Sequence, residues 1–530
     1  MLSSLFRRKP DPAQALKPVP FLSNHAGNAR RAAVWPDGRC IIALGYEDDA
    51  ELARGLAQLK ARKRIPGHLK VTIVTLEEVD RAWRFARPAS TGNEDLQRKV
   101  AAVFHEAAQA RASDVIFEHD GASARLYAIV NDAKLALGHP IPAEEGRQLM
   151  GYLFHAKDEG SAQTSYQRGE FQGFSIRSGG EVPLPPAVSG LRCQRGPHDP
   201  GGDHMFCRLF YRDQLTEGMT LQKLGFGEAE AALFAEIRLS LSGGIFLGGS
   251  TGDGKSTTLA VNLALQMAEH RNELNLVTLE DPVEYRIPGA VQIAVPTSGA
   301  GDERAMNYRK ALMHFCRVHP ASGMVSEVRD HDAATQVLQF VDTGHQVWTT
   351  IHVDSANAIL FRLLDMGVEP ATLTKPGNVA LLMKQTLLPM LCRQCALPEP
   401  ADAAPPDWLT RHLDRMAIRP RWRNREGCRA CRRTEANDVA RQAWTGYTRQ
   451  QVVAEFIRPD ADYLAHVGRR DPIAAWQHWT DAMAGVPIAR KIWQAVAGGQ
   501  VDPLDALSKG ARVDEMPAAA GPRLVQGAAS

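Results

Sequence analysis

The chain reads as an α/β protein organised around a parallel sheet. From Gly243 onward, short apolar runs (GGIFLGG, NLVTLED, GMVSEV and HQVWTTIHV) alternate with helical segments such as MNYRKALMHFCR and AATQVLQFVD. Strands alternating with helices are the pattern of right-handed crossovers in a parallel sheet. The first apolar run ends in a glycine-rich loop that opens a helix. Two C-x-x-C pairs lie further along the chain.

The elements follow in order. Residues 1–30 are Pro-rich and without periodicity, and are expected to be a flexible lead. CIIAL, DDAELARGLAQLKARK and LKVTIVTL predict strand, helix and strand, so residues 31–90 form a small α/β domain. PASTGNED, residues 88–95, is polar and turn-rich and reads as a linker. A helix over 95–112 and the strand-like DVIFEHD, ARLYAIVND, EFQGFSIRS and HMFCRLFY make residues 95–220 an α+β domain. The parallel-sheet domain spans 221–390, a four-cysteine module 391–435, and a helical C-terminal domain 440–515, with helices read from 450 to 510. Residues 516–530 are expected to be a disordered tail.

Composition narrows the function classes. With 530 residues, 23% charged and 44% hydrophobic, a collagen, a fibre or a wholly disordered chain is excluded. Lys+Arg 62 against Asp+Glu 60 gives a net charge of +2, so no stable DNA binding is expected. No apolar run is long enough to predict a membrane-spanning helix. The N-terminal MLSSLFRRKPDP has its charges after the apolar residues, the reverse of an export signal.

GSTGDGKS, Gly249 to Ser256, fits G-x-x-x-x-G-K-[ST] and sits between a predicted strand and a predicted helix. The backbone amides of Gly249, Ser250, Thr251, Gly252, Asp253 and Gly254 are candidates to cradle phosphate at a helix N-terminus. Lys255 is expected to reach the β and γ phosphates, Ser256 to ligate Mg²⁺, and Thr257 to follow in the same turn. The bound species expected is ATP with Mg²⁺. TLEDPVEY then places Glu280, Asp281 and Glu284 at a strand end, where they hold water or metal, or simply cap a turn. Glu327 ends the apolar run GMVSEV, the place from which a nucleotide hydrolase orients its attacking water. His345 and His352 flank the next strand. Each is either a sensor of the terminal phosphate or a structural histidine.

Cys392, Cys395, Cys428 and Cys431 form two C-x-x-C knuckles, which read as a closed four-thiolate Zn²⁺ site of structural type. The alternative is four reduced, unligated thiols.

Taken in order, GSTGDGKSTT, TLEDPVEY, SEVRD, TGHQVWTTIH and RLLDMGVEP resemble the type II secretion and type IV pilus assembly ATPases over about residues 95–450. The resemblance implies a RecA-like ATPase domain in a homo-hexameric motor, cytoplasmic and peripheral at an inner membrane, working on an inner-membrane platform protein. It implies that Gly249–Ser256 is the Walker A loop, that Glu280, Asp281 and Glu284 form an acidic box, that Glu327 is the general base, and that His345 and His352 belong to a histidine box. Arg125, Arg192 and Arg208 match family arginines and are candidates to act on a neighbour's nucleotide. Two departures stand out: HPASGMVSEV is a less apolar strand than the family's, and Thr445-Gly446-Tyr447 follows the last cysteine at a longer interval. Two alternatives remain: a retraction or conjugation ATPase of the same superfamily, and a non-hydrolysing nucleotide-gated scaffold or DNA-binding protein.

Overall fold

A computed structural model describes residues 31–35, 38–75, 78–79, 91–157, 169–199, 201–211, 213–214, 218–281, 283–295, 302–401, 404–432 and 437–512. The expected lead (1–30) and tail (516–530) lie outside the described residues. The chain falls into two compact units, within residues 1–95 and 96–530, each described by itself.

In the first unit β1 (Ala32–Val34), β2 (Arg39–Ala43) and β3 (Lys70–Val74) form a three-stranded sheet, with α1 (Ala50–Ala61) between β2 and β3. β1 is antiparallel to β2, and β2 is parallel to β3. Val34, Ile42, Leu52, Leu59 and Ile65 make the core.

Helix α2 (Thr91–Gln109) begins inside the stretch read as a linker, with Glu94 in its first turn, where the helix dipole favours an acid. β4 (Asp114–His119), β5 (Ser123–Val130), β6 (Ala133–Ala136), β7 (Ile141–Pro142), α3 (Ala143–His155), β8 (Gln172–Arg177), β9 (Val188–His198) and β10 (Gly202–Tyr211) follow. These strands form an antiparallel sheet ordered β6-β5-β4-β10-β9-β8, with β7 beside β5. Its strands alternate buried and exposed positions, because one face packs on Phe104, Phe117, Leu149 and Phe154 and the other does not.

A short β11 (Asp213–Gln214), α4 (Leu221–Leu224) and α5 (Glu228–Ser240) lead into the parallel sheet. Its elements are β12 (Gly243–Gly248), α6 (Lys255–Glu269), β13 (Leu276–Glu280), β14 (Tyr285–Arg286), β15 (Val291–Ala294), α7 (Asp302–Arg317), β16 (Ser322–Val325), α8 (His331–Asp342), β17 (Gln346–Ile351), α9 (Ala358–Asp365), α10 (Pro370–Leu373) and β18 (Val379–Leu391). With β19 (Tyr447–Ile457) the order is β15-β13-β16-β17-β12-β18-β19, parallel except for the last strand. Every residue of β12, β13, β16 and β17 is buried, which follows from covering both faces with helices. The less apolar β16 is four residues long and lies centrally, between β13 and β17.

Beyond β18 come α11 (Asp407–Arg415), α12 (Asp438–Trp444), β19 (Tyr447–Ile457), α13 (Ala461–Gly468), α14 (Pro472–Asp481), α15 (Ile488–Ala497) and α16 (Pro503–Ser508). The reading of helices from residue 450 is corrected here. YTRQQVVAEFI is a strand, antiparallel to β18 over Leu382–Leu391, and it buries Val452, Ala454 and Ile457. β18 itself, VALLMKQTLLPML, is a buried strand that the sequence reading does not identify.

Candidate functional site

The phosphate loop joins β12 to α6. Gly249 adopts φ +146° and Gly254 φ +79°. A Cβ at Gly249 would meet the Gln385 carbonyl oxygen at 2.8 Å and the Asp253 carboxylate at 3.0 Å, so the position admits only glycine. Asp253 is buried and fixes the loop: it accepts the Ser250 amide at 2.6 Å and the Thr386 hydroxyl at 3.0 Å. Gln385 donates to the Asp253 carbonyl at 2.6 Å. The strand missed in the sequence therefore anchors the loop. Lys255 donates to the Gly249 and Ser250 carbonyls, each at 2.7 Å, and burial lowers its pKa while Asp253, Glu327 and Glu284 oppose that shift. Thr257 bonds the Tyr285 hydroxyl at 2.7 Å.

The loop opens on a cleft of about 690 Å³ whose lining includes Ser250–Thr257, Glu280, Asp281, Glu284, Glu327, His352, Arg192 and Arg208. Glu280 ends β13 buried, accepting the Thr278 hydroxyl at 2.6 Å and the Gln292 amide at 2.9 Å. Burial raises its pKa. Glu284 is likewise raised by burial, against a hydrogen bond from Ser256 and the charges of Arg208, Arg192 and Lys255. The Asp281 side chain is almost fully buried and pairs with Arg192 at 3.2 Å. Glu327 pairs with Arg329 at 2.8 Å and with His352 at 3.2 Å.

Arg192 and Arg208 are register partners on β9 and β10, so their side chains leave the same face of the antiparallel sheet. Arg208 holds Asp114 through two bonds, at 3.0 and 3.4 Å. Both arginines, candidates to act on a neighbour's nucleotide, line the cleft of their own chain. Arg125 does not line it. It is exposed on β5, its charge felt by Asp120. His345 is also elsewhere. It precedes β17, whose far end carries His352, roughly 20 Å away at the usual rise per strand residue. There it stacks on Phe340 at 4.4 Å and bonds Thr343 at 3.0 Å, a structural histidine.

Other groups of the cleft come from further parts of the chain. Arg111 and Asp114, within the string RASDVIFEHD, and Asn131 and Asp132, in the β5–β6 turn, come from the antiparallel sheet and the turns beside it, and Leu387, Gln450 and Lys509 from the last strands and the residue after α16. Lys509 pairs with Asp132 across 377 positions of sequence.

The four cysteines converge. Their sulfur atoms lie within 4.8 Å of one another, with Cys392–Cys428 at 3.8 Å, Cys395–Cys431 at 3.7 Å and Cys428–Cys431 at 3.9 Å. A tetrahedron with Zn–S bonds of about 2.3 Å has edges of about 3.8 Å, so the donor set fits Zn²⁺. The Cys431 sulfur also accepts amides from Cys428 at 3.2 Å and Gly446 at 3.4 Å. Gly446, with φ +85°, leaves room for the Asn424 carbonyl, which a Cβ would meet at 2.5 Å. The late T-G-Y thus closes the module. Among the described residues no helix is long and apolar enough to cross a membrane.

A parallel α/β sheet with a phosphate loop at its helix N-terminus, facing acids and arginines, defines a P-loop nucleotide-binding protein. Residues 181–467, over half the chain, match the Type II/IV secretion system protein family, and the chain belongs to it. It is 31% identical over 272 residues to the type II secretion system protein E of Pectobacterium carotovorum subsp. carotovorum, covering 51% of this chain and 49% of that one. It is 34% identical over 197 residues to the type IV pilus assembly ATPase PilB of Myxococcus xanthus, covering 37% and 33%. The match thus spans about half or less of these curated relatives' length. The X-ray structure of the Legionella pneumophila ATPase DotB aligns with TM-score 0.50 at 15% identity, over 77% of this chain and 93% of that one, a likeness of fold.

Proposed function

We propose that the protein is an Mg-ATP-hydrolysing motor of the secretion and pilus ATPases, working as a homo-hexamer on type IV pilus assembly or type II secretion. One observation carries the reading: the phosphate loop, Glu327 and two arginines from a separate sheet face one cleft. Loop amides and the α6 N-terminus hold the triphosphate, and Lys255 exchanges its carbonyl partners for β and γ oxygens. Ser256 and Glu284, which share a hydrogen bond, would hold Mg²⁺, which would neutralise phosphate charge. Glu327 accepts a proton from the attacking water, and Arg192 and Arg208 stabilise charge developing on the γ-phosphoryl group.

Because the arginines and the loop belong to different sheets, nucleotide draws the two sheets together and hydrolysis releases them, a hinge-type coupling. An inner-membrane platform protein is the expected recipient of that motion, at the cytoplasmic face. The four-thiolate module favours assembly or secretion over retraction. Steady-state ATP hydrolysis by the wild type, Lys255→Ala and Glu327→Gln tests the reading. Both variants should lose at least 100-fold in kcat (about 2.7 kcal/mol), Glu327→Gln while still binding ATP. Wild-type turnover that is absent, or insensitive to Lys255, overturns it.

A further inference from the structure

The longer interval between Cys431 and Thr445-Gly446-Tyr447 holds α12, and α12 packs away from the cysteines. Its Val439, Ala440, Ala443 and Trp444 are buried in the core of the antiparallel sheet, among Val100, Phe104 and Ala107 of α2. Asn437 caps the helix, accepting the Ala440 amide at 2.8 Å, and donates to the Glu106 carbonyl of α2 at 2.7 Å. Trp444 Nε1 donates to the Ala110 carbonyl, just past α2, at 3.4 Å. The other end of α12 belongs to the module. Arg423 donates to the Gln442 and Thr445 carbonyls at 2.8 and 2.9 Å, which closes the helix C-terminus. Gly446 gives its amide to the Cys431 sulfur at 3.4 Å and accepts the Cys392 amide on its carbonyl at 2.8 Å. Among the described residues, the apolar clusters on the two faces of the parallel sheet take nothing from 96–211. The core of the antiparallel sheet instead continues into α12, Leu391 and Tyr447. On the cleft side, that sheet meets the rest of the chain through polar contacts such as Arg192–Asp281 and Lys509–Asp132.

We propose that α12 is a clasp through which the four-cysteine module positions the arginine-bearing sheet over the phosphate loop, so that metal in the module sets the affinity of the cleft for nucleotide. This inference rests on the nucleotide reading of the cleft above. Apolar burial keeps the clasp side in one geometry, whereas ion pairs on the cleft side are readily exchanged for water or phosphate. Zn²⁺ on the four thiolates would pin Cys392 and Cys431, and with them Gly446 and the C-terminal end of α12. A helix of 7 residues has too few internal bonds to persist without such support. When the module loosens, α12 loosens its hold on α2. The sheet then sets Arg192 and Arg208 against the loop for only a fraction of the time, and the apparent affinity falls by that fraction. Asn437 and Trp444 are thus positioning residues that act on the cleft from its far side.

The test is binding of a fluorescent ATP analogue with Mg²⁺ to the full chain, loaded with zinc and then stripped by a chelator selective for zinc over magnesium, with hydrogen exchange followed in both forms. Stripping should weaken the analogue about five- to tenfold. Exchange should quicken in α12 and the end of α2 that faces it, and stay unchanged in β12 and α6. By reciprocity, bound analogue should raise the affinity for zinc by the same factor, read by competition with the chelator. The double variant N437A/W444F removes both hydrogen bonds to the α2 end and keeps an aromatic ring in the core. With zinc bound it should already bind the analogue about three- to tenfold more weakly, and stripping should then add less than about twofold. A module that serves only its own stability would show neither coupling. If stripping leaves the affinity of the wild type unchanged, or weakens wild type and N437A/W444F by equal factors, the proposal is overturned while Lys255-dependent binding leaves the nucleotide reading standing. Exchange that quickens throughout the chain on stripping assigns the module to the fold at large and overturns it too, as does a chain that takes up no zinc. Analogue binding that is absent, or unchanged in Lys255→Ala, overturns both.

Discussion

The nucleotide cleft and the four-cysteine module share one strand and differ in how they are held. Midway along β18, Gln385 and Thr386 tie down the phosphate loop, and its last residue, Leu391, runs directly into Cys392. The module gathers its four donors within 4.8 Å, two short sequence knuckles and little else. The cleft gathers its charges from two sheets and α16, through pairs such as Arg192–Asp281 and Lys509–Asp132 that are far apart in sequence. A site matched to a single ion is local and closed. A site that must open and close around a polyphosphate has its charges divided between bodies that can move.

The largest effect should come from breaking the closed site. Cys431→Ser removes the sulfur that accepts two backbone amides, and a chelator should mimic it. With zinc bound, either treatment should cost several kcal/mol locally, given the free energies of structural zinc sites. The module core (Leu409, Trp422 and Trp493) should melt first. Metal content by mass spectrometry and tryptophan fluorescence on heating check this. Protein that carries no metal and melts identically with chelator would erase the contrast between the two sites.

The next effect separates the arginines. Arg192→Gln and Arg208→Gln should each lower kcat/KM for ATP by 10- to 100-fold, about 1.4–2.7 kcal/mol. Arg125→Gln should stay within twofold of wild type, because Arg125 does not line the cleft. Steady-state assays across ATP concentration measure all three. Equal losses for the three variants would mean that a neighbouring chain, rather than this cleft, receives Arg125.

These pairs also mark how much was legible in the sequence. The phosphate loop, the acids after β13 and Glu327 were legible because a parallel sheet puts its functional residues in contiguous strings just after buried strands. The knuckles were legible because zinc spacing is short. Arg192 and Arg208 were found by resemblance, but their place in the chain's own cleft depends on the β9–β10 register, which no local string encodes. His345 looked like a partner of His352 because six residues of strand separate them, and that same strand holds them at opposite ends. β18 was missed because Lys384, Gln385 and Thr386 interrupt its apolar run. All three lie buried, and Gln385 and Thr386 serve the loop. Asn131, Gln450 and Lys509 carried no signal at all.

The smallest effect lies where the two regions meet. Asp505, on α16, accepts the Tyr447 hydroxyl at 2.6 Å just after the T-G-Y turn, and Lys509 of the same stretch lines the cleft. Burial pushes the Asp505 pKa up from 3.8 to about 6, against the Tyr447 bond and the charges of Arg423 and Lys509, with Asp502 adding to the rise. The folded protein therefore holds this proton more tightly than the unfolded chain does. Between pH 3.8 and about 6 its contribution to stability falls as pH rises, and above about 6 the full cost persists. Asp505→Asn keeps an acceptor for Tyr447 and removes the buried charge. It should stabilise the protein by about 1 kcal/mol above pH 6.5 and be neutral near pH 4. Melting curves of both proteins from pH 4 to 8 should coincide at the acid end and diverge through the window. If they run parallel, burial of Asp505 does not cost what its surroundings imply, and the junction between module and cleft is wetter than the packing around Tyr447 indicates.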